Sequence, residues 1–468
     1  MILVNVPPSL ARLVYPLQER VLHRPTFQYL KELEVSQWYS RDEIEALQER
    51  KLAGLLRLAH DHSPWHAERI ERAGLLETVQ REHVPLHELR KLPTMTKRDA
   101  RENVERIHWK DAPGGTFEYN TGGSSGEPLV FWFGRSRQAS DAAGRMRARR
   151  WWGVQVGDRE CYLWGSPVEL GRTDWVKKVR DRLINQLVLN AFEMSPANMD
   201  GYAHALLEFQ PECIYGYASS IALLAAHIRA RDLRLHLRHL KVVCTTGEPL
   251  YAHQRELLQA VFAAPVANEF GSRDIGFTAH ESASGEMLLM SESIILEVLD
   301  TAGAPVGEGE MGEAVITALH SEAQPFIRYR TGDMVRMSDA RASAGRGLHV
   351  IAEVSGRTTD LIVRSDGTIM HALALIYVLR ATPGIAEFKL IQLSVRDIQV
   401  LVVPGADWTS ASEQQVIAGV QARLGADARV RVDLVQTIAP ERSGKYRYVQ
   451  SHVPLTEALR QAGPAEYA

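Results

Sequence analysis

Cysteine is scarce. The 468-residue chain has three, at positions 161, 213 and 244, and no two share a CxxC spacing. That excludes a disulfide framework and a zinc knuckle, fits a reducing compartment and makes a cytoplasmic protein the expectation. An excess of either charge is also missing: 54 lysines and arginines stand against 57 acids, a formal charge of -3. Bulk charge therefore gives no reason to expect nucleic acid or a membrane surface as partner. No apolar run approaches the roughly 18 residues that a membrane span needs. The opening MILVNVPPSLARLVYPLQER has two prolines and no basic segment, so no signal peptide is expected. Internal repeats and low-complexity tracts are absent. What is present is ordinary for a globular protein, 45% hydrophobic and 24% charged residues, in a chain long enough for about two to four domains.

The pattern of elements changes along the chain. Residues 1–100 read as mostly helical; SRDEIEALQERKLAGLLRLAHDH opens on a Ser40 cap and repeats apolar residues at helical spacing. Residues 100–290 alternate strand and helix: QLVLNAFEMS, SPANMDGYAHALLEF, PECIYGY, SSIALLAAHIRARD, LKVVCTT, YAHQRELLQAVF. Such alternation predicts a mainly parallel sheet with helices on its faces. Residues 290–357 read as strands between glycine-containing turns, predicting an antiparallel, β-rich subdomain or barrel. Residues 358–468 carry a compact α+β pattern of small-domain size. The expected fold is therefore α/β, with a large N-terminal domain over 1–357 and a small C-terminal α+β domain over 358–468.

Several short motifs can carry chemistry. In TGGSSGEP, Gly122, Gly123 and Gly126 let backbone N–H groups converge on an anion, and Thr121, Ser124 and Ser125 add hydroxyl donors. The loop lacks the lysine of a nucleotide-kinase P-loop, and Glu127 stands nearby instead. CTTGEPL follows a strand, where a glycine at the carboxyl end lets a ligand approach the sheet edge. NEFGSRDIGF offers Asp274 as a ligand for a divalent cation. FIRYRTGDMV presents Asp333 after a turn, where a carboxylate can accept both hydroxyls of a ribose. Arg357 in EVSGRTTDLIV can bond a sugar or phosphate. Lys445 in PERSGKYRYV can bring one mobile positive charge to a phosphate. Taken singly, each also reads as an ordinary linker, turn, surface ion pair or solvated loop lysine.

The order of these motifs, from the glycine–hydroxyl loop to the terminal Gly-Lys, resembles the adenylate-forming superfamily of acyl-CoA synthetases. Within it the chain looks most like the phenylacetate–CoA ligase branch and its capsule-cluster, CapK-like relatives. The resemblance covers about residues 119–449. It implies an ATP- and Mg²⁺-dependent enzyme that activates a small carboxylic acid as acyl-adenylate and passes the acyl group to coenzyme A. An amide ligase with an amine acceptor and a catalytically dead nucleotide binder are the alternatives. By motif match, Thr121, Gly122, Gly123, Ser124, Ser125 and Gly126 would hold phosphates. Gly247, Glu248 and Pro249 would line the adenine, with Phe270, Gly271 and Ser272 beside it. Asp274 would bind Mg²⁺, Asp333 the ribose, Arg357 ribose or phosphate, and Lys445 would be the catalytic lysine of a C-terminal lid. Trp164, Tyr217, Ser219 and Thr246 are candidates for the acid pocket. Thr359 falls where many members have the hinge aspartate, which puts the lid motion in question. Relatives are often dimeric, so a homodimer is one expectation.

Two further clusters have plainer readings. His60, His62 and His66 beside Asp61 fit a polar helix end better than a metal site. The arginines at 135, 137, 145, 147, 149 and 150 read as a solvated helix face, with an anionic acceptor such as the phosphates of coenzyme A as the minor reading. The pocket segments carry no evident arginine or lysine for a second carboxylate of the acid, which favours an aryl or medium-length monoacid.

Overall fold

A computed structural model describes residues 6–120, 129–164, 181–191, 196–300, 302–357, 361–365, 369–371, 373–439 and 448–453. By internal packing the chain divides into two units, Met1–Thr331 with Val335–Ser355, and Gly332–Met334 with Gly356–Ala468.

The first unit begins with helices α1 (Pro8–Val21), α2 (Thr26–Ser36), α3 (Arg41–His62), α4 (Pro64–Arg72), α5 (Leu76–Val79), α6 (Lys97–Glu102) and α7 (Val104–Ile107). Ser40 caps α3 as its sequence predicts: its hydroxyl accepts from the Glu43 N–H, and the Glu43 carboxylate accepts from the Ser40 N–H. The inner stripe of α3, Leu52, Leu55, Leu56 and Ala59, packs with Ile70 and Leu75 against Ile295, Leu319 and Ile327. Full burial of each such leucine contributes about 1.5–3 kcal/mol.

A short antiparallel pair, β1 (Phe117–Asn120) and β2 (Val130–Phe133), leads into helix α8 (Arg135–Arg150). The main sheet then assembles from β3 (Glu160–Trp164), β4 (Gln186–Asn190), β5 (Cys213–Tyr217), β6 (Val242–Thr246), β7 (Val266–Ser272), β8 (Gly276–Glu281), β9 (Met287–Leu289), β10 (Ile294–Leu299), β11 (Met311–Ala318), β12 (Tyr329–Ser338) and β13 (Val350–Arg357). Helices α9 (Pro196–Phe209), α10 (Ala218–Ala230) and α11 (Ala252–Phe262) connect the parallel strands. The strand order is β10-β11-β12-β13-β9-β8-β7-β6-β5-β3-β4. Strands β3 to β7 pair in parallel, and the direction reverses between β7 and β8. The β-rich stretch is thus antiparallel as read, but among the described residues it closes into no separate barrel; it extends the same sheet. Asp333 also sits differently from its expected place at a turn. It lies inside β12, one residue after Gly332, whose φ of 76° bends the strand without ending it.

The arginine run of α8 overturns the solvated-face reading. Arg137, Arg147 and Arg149 are 4%, 0% and 7% exposed. Arg147 is fully enclosed with Glu292 and also donates to the Leu33 carbonyl, which locks α8 onto α2. A guanidinium can be buried this way only because a carboxylate is buried with it.

The second unit is a four-stranded sheet in the order β18-β17-β16-β19, built from β16 (Ile385–Gln392), β17 (Asp397–Pro404), β18 (Arg429–Leu434) and β19 (Val449–Ser451). Strands β14 (Leu361–Val363) and β15 (Ile369–His371) pair beside it in sequence, and helices α12 (Leu373–Ala381) and α13 (Ser410–Leu424) cover its apolar residues. Gly419 allows the two helices to meet: a Cβ there would stand 2.3 Å from Cγ1 of Val378.

Two stability predictions follow from the first unit. Glu292→Ala strands a buried arginine and is expected to lower stability by about 3–5 kcal/mol, measured by urea unfolding, with the paired Arg147→Met/Glu292→Leu change recovering most of it. The second concerns pH. Burial pushes His320 down to about 3 and His349 to about 4. Their folded values lie below the ordinary 6.5, so their contribution is whole above that pH and is lost as pH falls from 6.5 towards 4. The unfolding midpoint should drop over that window, and His320→Gln should flatten the drop by up to about 1.4 kcal/mol per pH unit.

Candidate active site at the carboxyl edge of the parallel strands

Ligands of open α/β sheets bind outside the carboxyl ends of the parallel strands. Here those ends are Trp164 on β3, Tyr217 on β5, Thr246 on β6 and Glu269 to Ser272 on β7. Register sets them side by side: Tyr217 lies opposite Thr246, and Thr246 opposite Glu269. Trp164 stacks on Tyr217 with ring centroids 4.4 Å apart and planes 17° apart. Gly247 follows β6 with φ 74°, and Glu248 and Pro249 continue the turn at the surface.

Asp274 closes the next turn and is only 7% exposed. Both of its oxygens are held. The Ser272 hydroxyl donates to Oδ1 at 2.5 Å, and the Tyr329 hydroxyl donates to Oδ2 at 2.8 Å. Arg137 of α8 fixes the backbone of the same turn, donating to the carbonyls of Arg273 (2.7 Å) and Asp274. Phe270 is buried in a cluster with Ile275 and Phe277, opposite Ala279 of β8.

A second polar group lies on the neighbouring register position. Glu269 accepts from the Tyr215 hydroxyl at 3.0 Å, from Thr246 Oγ1 at 3.0 Å and from Arg145 Nε at 3.3 Å. Burial raises the pKa of the Tyr215 phenol well above its ordinary value, and Glu269 adds to the shift, so the hydroxyl stays a donor. Next to it Arg149 pairs with Glu160 and donates to the Tyr162 hydroxyl at 2.8 Å. Arg137, Asp141, Arg145 and Arg149 recur every four residues, so one stripe of α8 runs along the sheet from the Asp274 turn, past Glu269, to Glu160 at the start of β3.

Of the residues singled out by sequence, the structure brings Trp164, Tyr217, Thr246, Gly247, Phe270, Gly271, Ser272 and Asp274 to this edge. Asp333 is 8% exposed on β12, and Arg357 ends β13. Ser219 starts α10, with its backbone alone described. Thr121 to Gly126, Thr359 and Lys445 lie outside the described residues. The sequence reading named Arg137 and Arg145 but put them on a solvated face, and it missed Glu269 and Tyr329. The four-residue repeat along α8 was the available signal for the arginines. The histidine group resolves into separate contacts: His66 bonds the Pro325 carbonyl and Arg69, while His62 stacks on Trp109 at 3.8 Å.

Comparison with known proteins finds distant relatives of this chain. Residues 362–452 match the family model of the CapK C-terminal domain. Protein CapK of Staphylococcus aureus is 22% identical over 419 residues, covering 88% of this chain and 90% of that protein. CapK is thus a distant relative of this chain over most of its length. Phenylacetate–coenzyme A ligase of Escherichia coli strain K12 is 24% identical over 343 residues, covering 69% of this chain and 73% of that enzyme. The fold is shared with solved structures. A crystal structure of 2-hydroxyisobutyryl-CoA ligase, in its postadenylation state with a bound acyl-AMP, superposes with a TM-score of 0.66 at 21% identity, covering 88% of this chain and 90% of that one.

Proposed function

We propose that this homologue is an ATP-dependent, AMP-forming ligase that activates a carboxylic acid as acyl-adenylate and passes the acyl group to the thiol of coenzyme A. The observation that carries the reading is the buried, doubly held Asp274 at the carboxyl edge of the sheet, after the strand next to the one that ends in the TGEP segment, in a chain homologous to phenylacetate–coenzyme A ligases. Residues 1–357 would form the adenylation core and 358–468 a lid. Cytoplasmic residence and a homodimer belong to the same reading; among the described residues no helix is long and apolar enough to cross a membrane.

The chemistry sets the demands. An acid carboxylate must attack the α-phosphorus of ATP, both partners are anionic, and pyrophosphate must leave in line. Thr121, Ser124, Ser125 and the glycines around them would hold the β- and γ-phosphates. Gly247 to Pro249 and Phe270 would border the adenine, and Asp333 the ribose, with Arg357 on ribose or phosphate. Lys445 would place an ammonium where charge builds up and withdraw when the lid turns to admit the thiol.

Asp274 fits a magnesium ligand. Hydroxyl donors on both of its oxygens fix the carboxylate in one orientation, as the ligand of an oxygen-seeking cation must be. Among the described residues there is no group of three or more acidic, histidine or cysteine side chains placed to hold a metal. That suits an ion bound through one carboxylate and the phosphates of its nucleotide. When bound there, Mg²⁺ would neutralise phosphate charge. The residues of this chain do the orienting: Ser272 and Tyr329 fix the carboxylate, and Arg137 fixes the turn that carries it.

The decisive experiment is ATP–pyrophosphate exchange across a panel of carboxylic acids, with thioester formation from coenzyme A scored against hydroxamate formation from an amine alone. Exchange without thioester would favour the amide ligase. Lys445→Ala is expected to lower exchange by about 10²–10³-fold, the usual loss for a group aimed at developing charge. It should leave transfer from a supplied acyl-adenylate near normal. Tyr329→Phe removes one support of Asp274 and should raise the Mg²⁺ concentration for half-maximal exchange about ten- to a hundredfold. Its circular-dichroism melting curve should stay close to that of the unaltered protein.

A further inference from the structure

Arg145 is held differently from its neighbours on α8. Its Nε bonds Glu269, and its guanidinium lies 5.2 Å from the centre of the Phe277 ring. The side chain keeps 33% of its exposure while that of Glu269 keeps 3%. Among the described residues its two terminal nitrogens have no hydrogen-bond partner, whereas Arg137 spends both of its own on backbone carbonyls. Burial works against the Arg145 charge, but the Glu269 carboxylate and Tyr215 more than offset it, so the group stays a cation. Its place is fixed by packing as well. Gly144 sits against β8 so closely that a Cβ would stand 2.7 Å from Cδ1 of Phe277.

Two donor-rich nitrogens therefore stand beside Glu269, which Thr246 also bonds, at the strand ends where the sequence offers its candidates for the acid pocket. The charge balance decides what they can accept. Arg137, Arg145 and Arg149 are already matched by Asp141, Glu269 and Glu160. A second carboxylate on the substrate would add an unmatched negative charge to this half-buried site, at a desolvation cost. A neutral oxygen would gain a charge-assisted hydrogen bond without that cost. An acid with nothing but hydrocarbon there would leave the guanidinium stripped of water and unpaired.

We propose that Arg145 is a specificity residue, and that the acid activated by this protein carries a neutral oxygen acceptor, a hydroxyl, oxo or amide group, beyond its reacting carboxylate. This rests on the adenylation reading, and it replaces the expectation of a plain aryl or medium-length monoacid.

The test is pyrophosphate exchange with matched triples of aliphatic and aryl acids that carry a methyl, a hydroxyl or a carboxylate at the same position. In the best-used triple the hydroxyl acid should exceed the methyl acid in kcat/KM by about ten- to a hundredfold, the worth of a hydrogen bond to a charged group. Arg145→Leu should bring that ratio close to one while exchange with the methyl acid persists, and Arg145→Lys should fall between. Because Arg145→Leu leaves Glu269 without its cation, the paired Arg145→Met/Glu269→Gln change provides a second variant with no stranded charge. Preference for the methyl or the carboxylate acid by the unaltered protein overturns the proposal. So does a hydroxyl preference that survives in both variants. Exchange with no acid at all overturns the adenylation reading itself, which separates the two failures.

Discussion

Six arginines in sixteen residues make α8 an unusual helix to bury. Everything around it follows from the need to match those charges where water is excluded. Glu292 answers Arg147 against α2, Glu160 answers Arg149 at the far end, and Glu269 answers Arg145 at the strand edge. Arg150 pairs with Glu34, and Arg137 adds the carbonyls before and at Asp274 to its pairing with Asp141. Losing any carboxylate from this set leaves a cation in a low-dielectric region, which costs several times more than a lost surface pair. The helix is thereby pinned at both ends, and its two polar stripes have separate tasks. One joins α2 to the sheet and the other borders the candidate active site.

Much of the fold could be read from the sequence because its alternation is local. QLVLNAFEMS, PECIYGY and LKVVCTT are apolar runs with β-branched or aromatic residues, each followed by a helical stretch, and they became β4, β5 and β6. The strands after residue 290 were legible for the same reason. Their joining to the parallel half was not, because the link runs through β8 and β9, where GFTAHE and MLL are too short or too mixed to announce themselves. Asp333 was misplaced because Thr-Gly-Asp has the composition of a turn, and only the neighbouring strands reveal that β12 continues through it.

The candidate site was half legible. Glycine and acid motifs next to predicted strands led to Gly247, Ser272 and Asp274. The supports did not announce themselves, since their partners are far off in sequence: Arg145 meets Glu269 across 124 residues, and Arg147 meets Glu292 across 145. A basic run is ordinarily solvated, and only tertiary structure reveals that this one is not. Tyr329 stood within a recognised motif but was passed over because its hydroxyl points to Asp274, a residue of another motif.

The Gly144 contact makes α8 a ruler. Arg137 grips the Asp274 turn, and Arg145 stands eight residues further along the same rigid axis, about 12 Å at the usual helical rise. Because Gly144 seats the helix directly on Phe277, that span cannot slide relative to β8. The span from the Asp274 turn to the Glu269 contact is therefore set by helical geometry and not by a loop. A lineage of such proteins could exchange the side chain at position 145 to accept a different acid and leave the phosphate chemistry at the other end of the helix undisturbed.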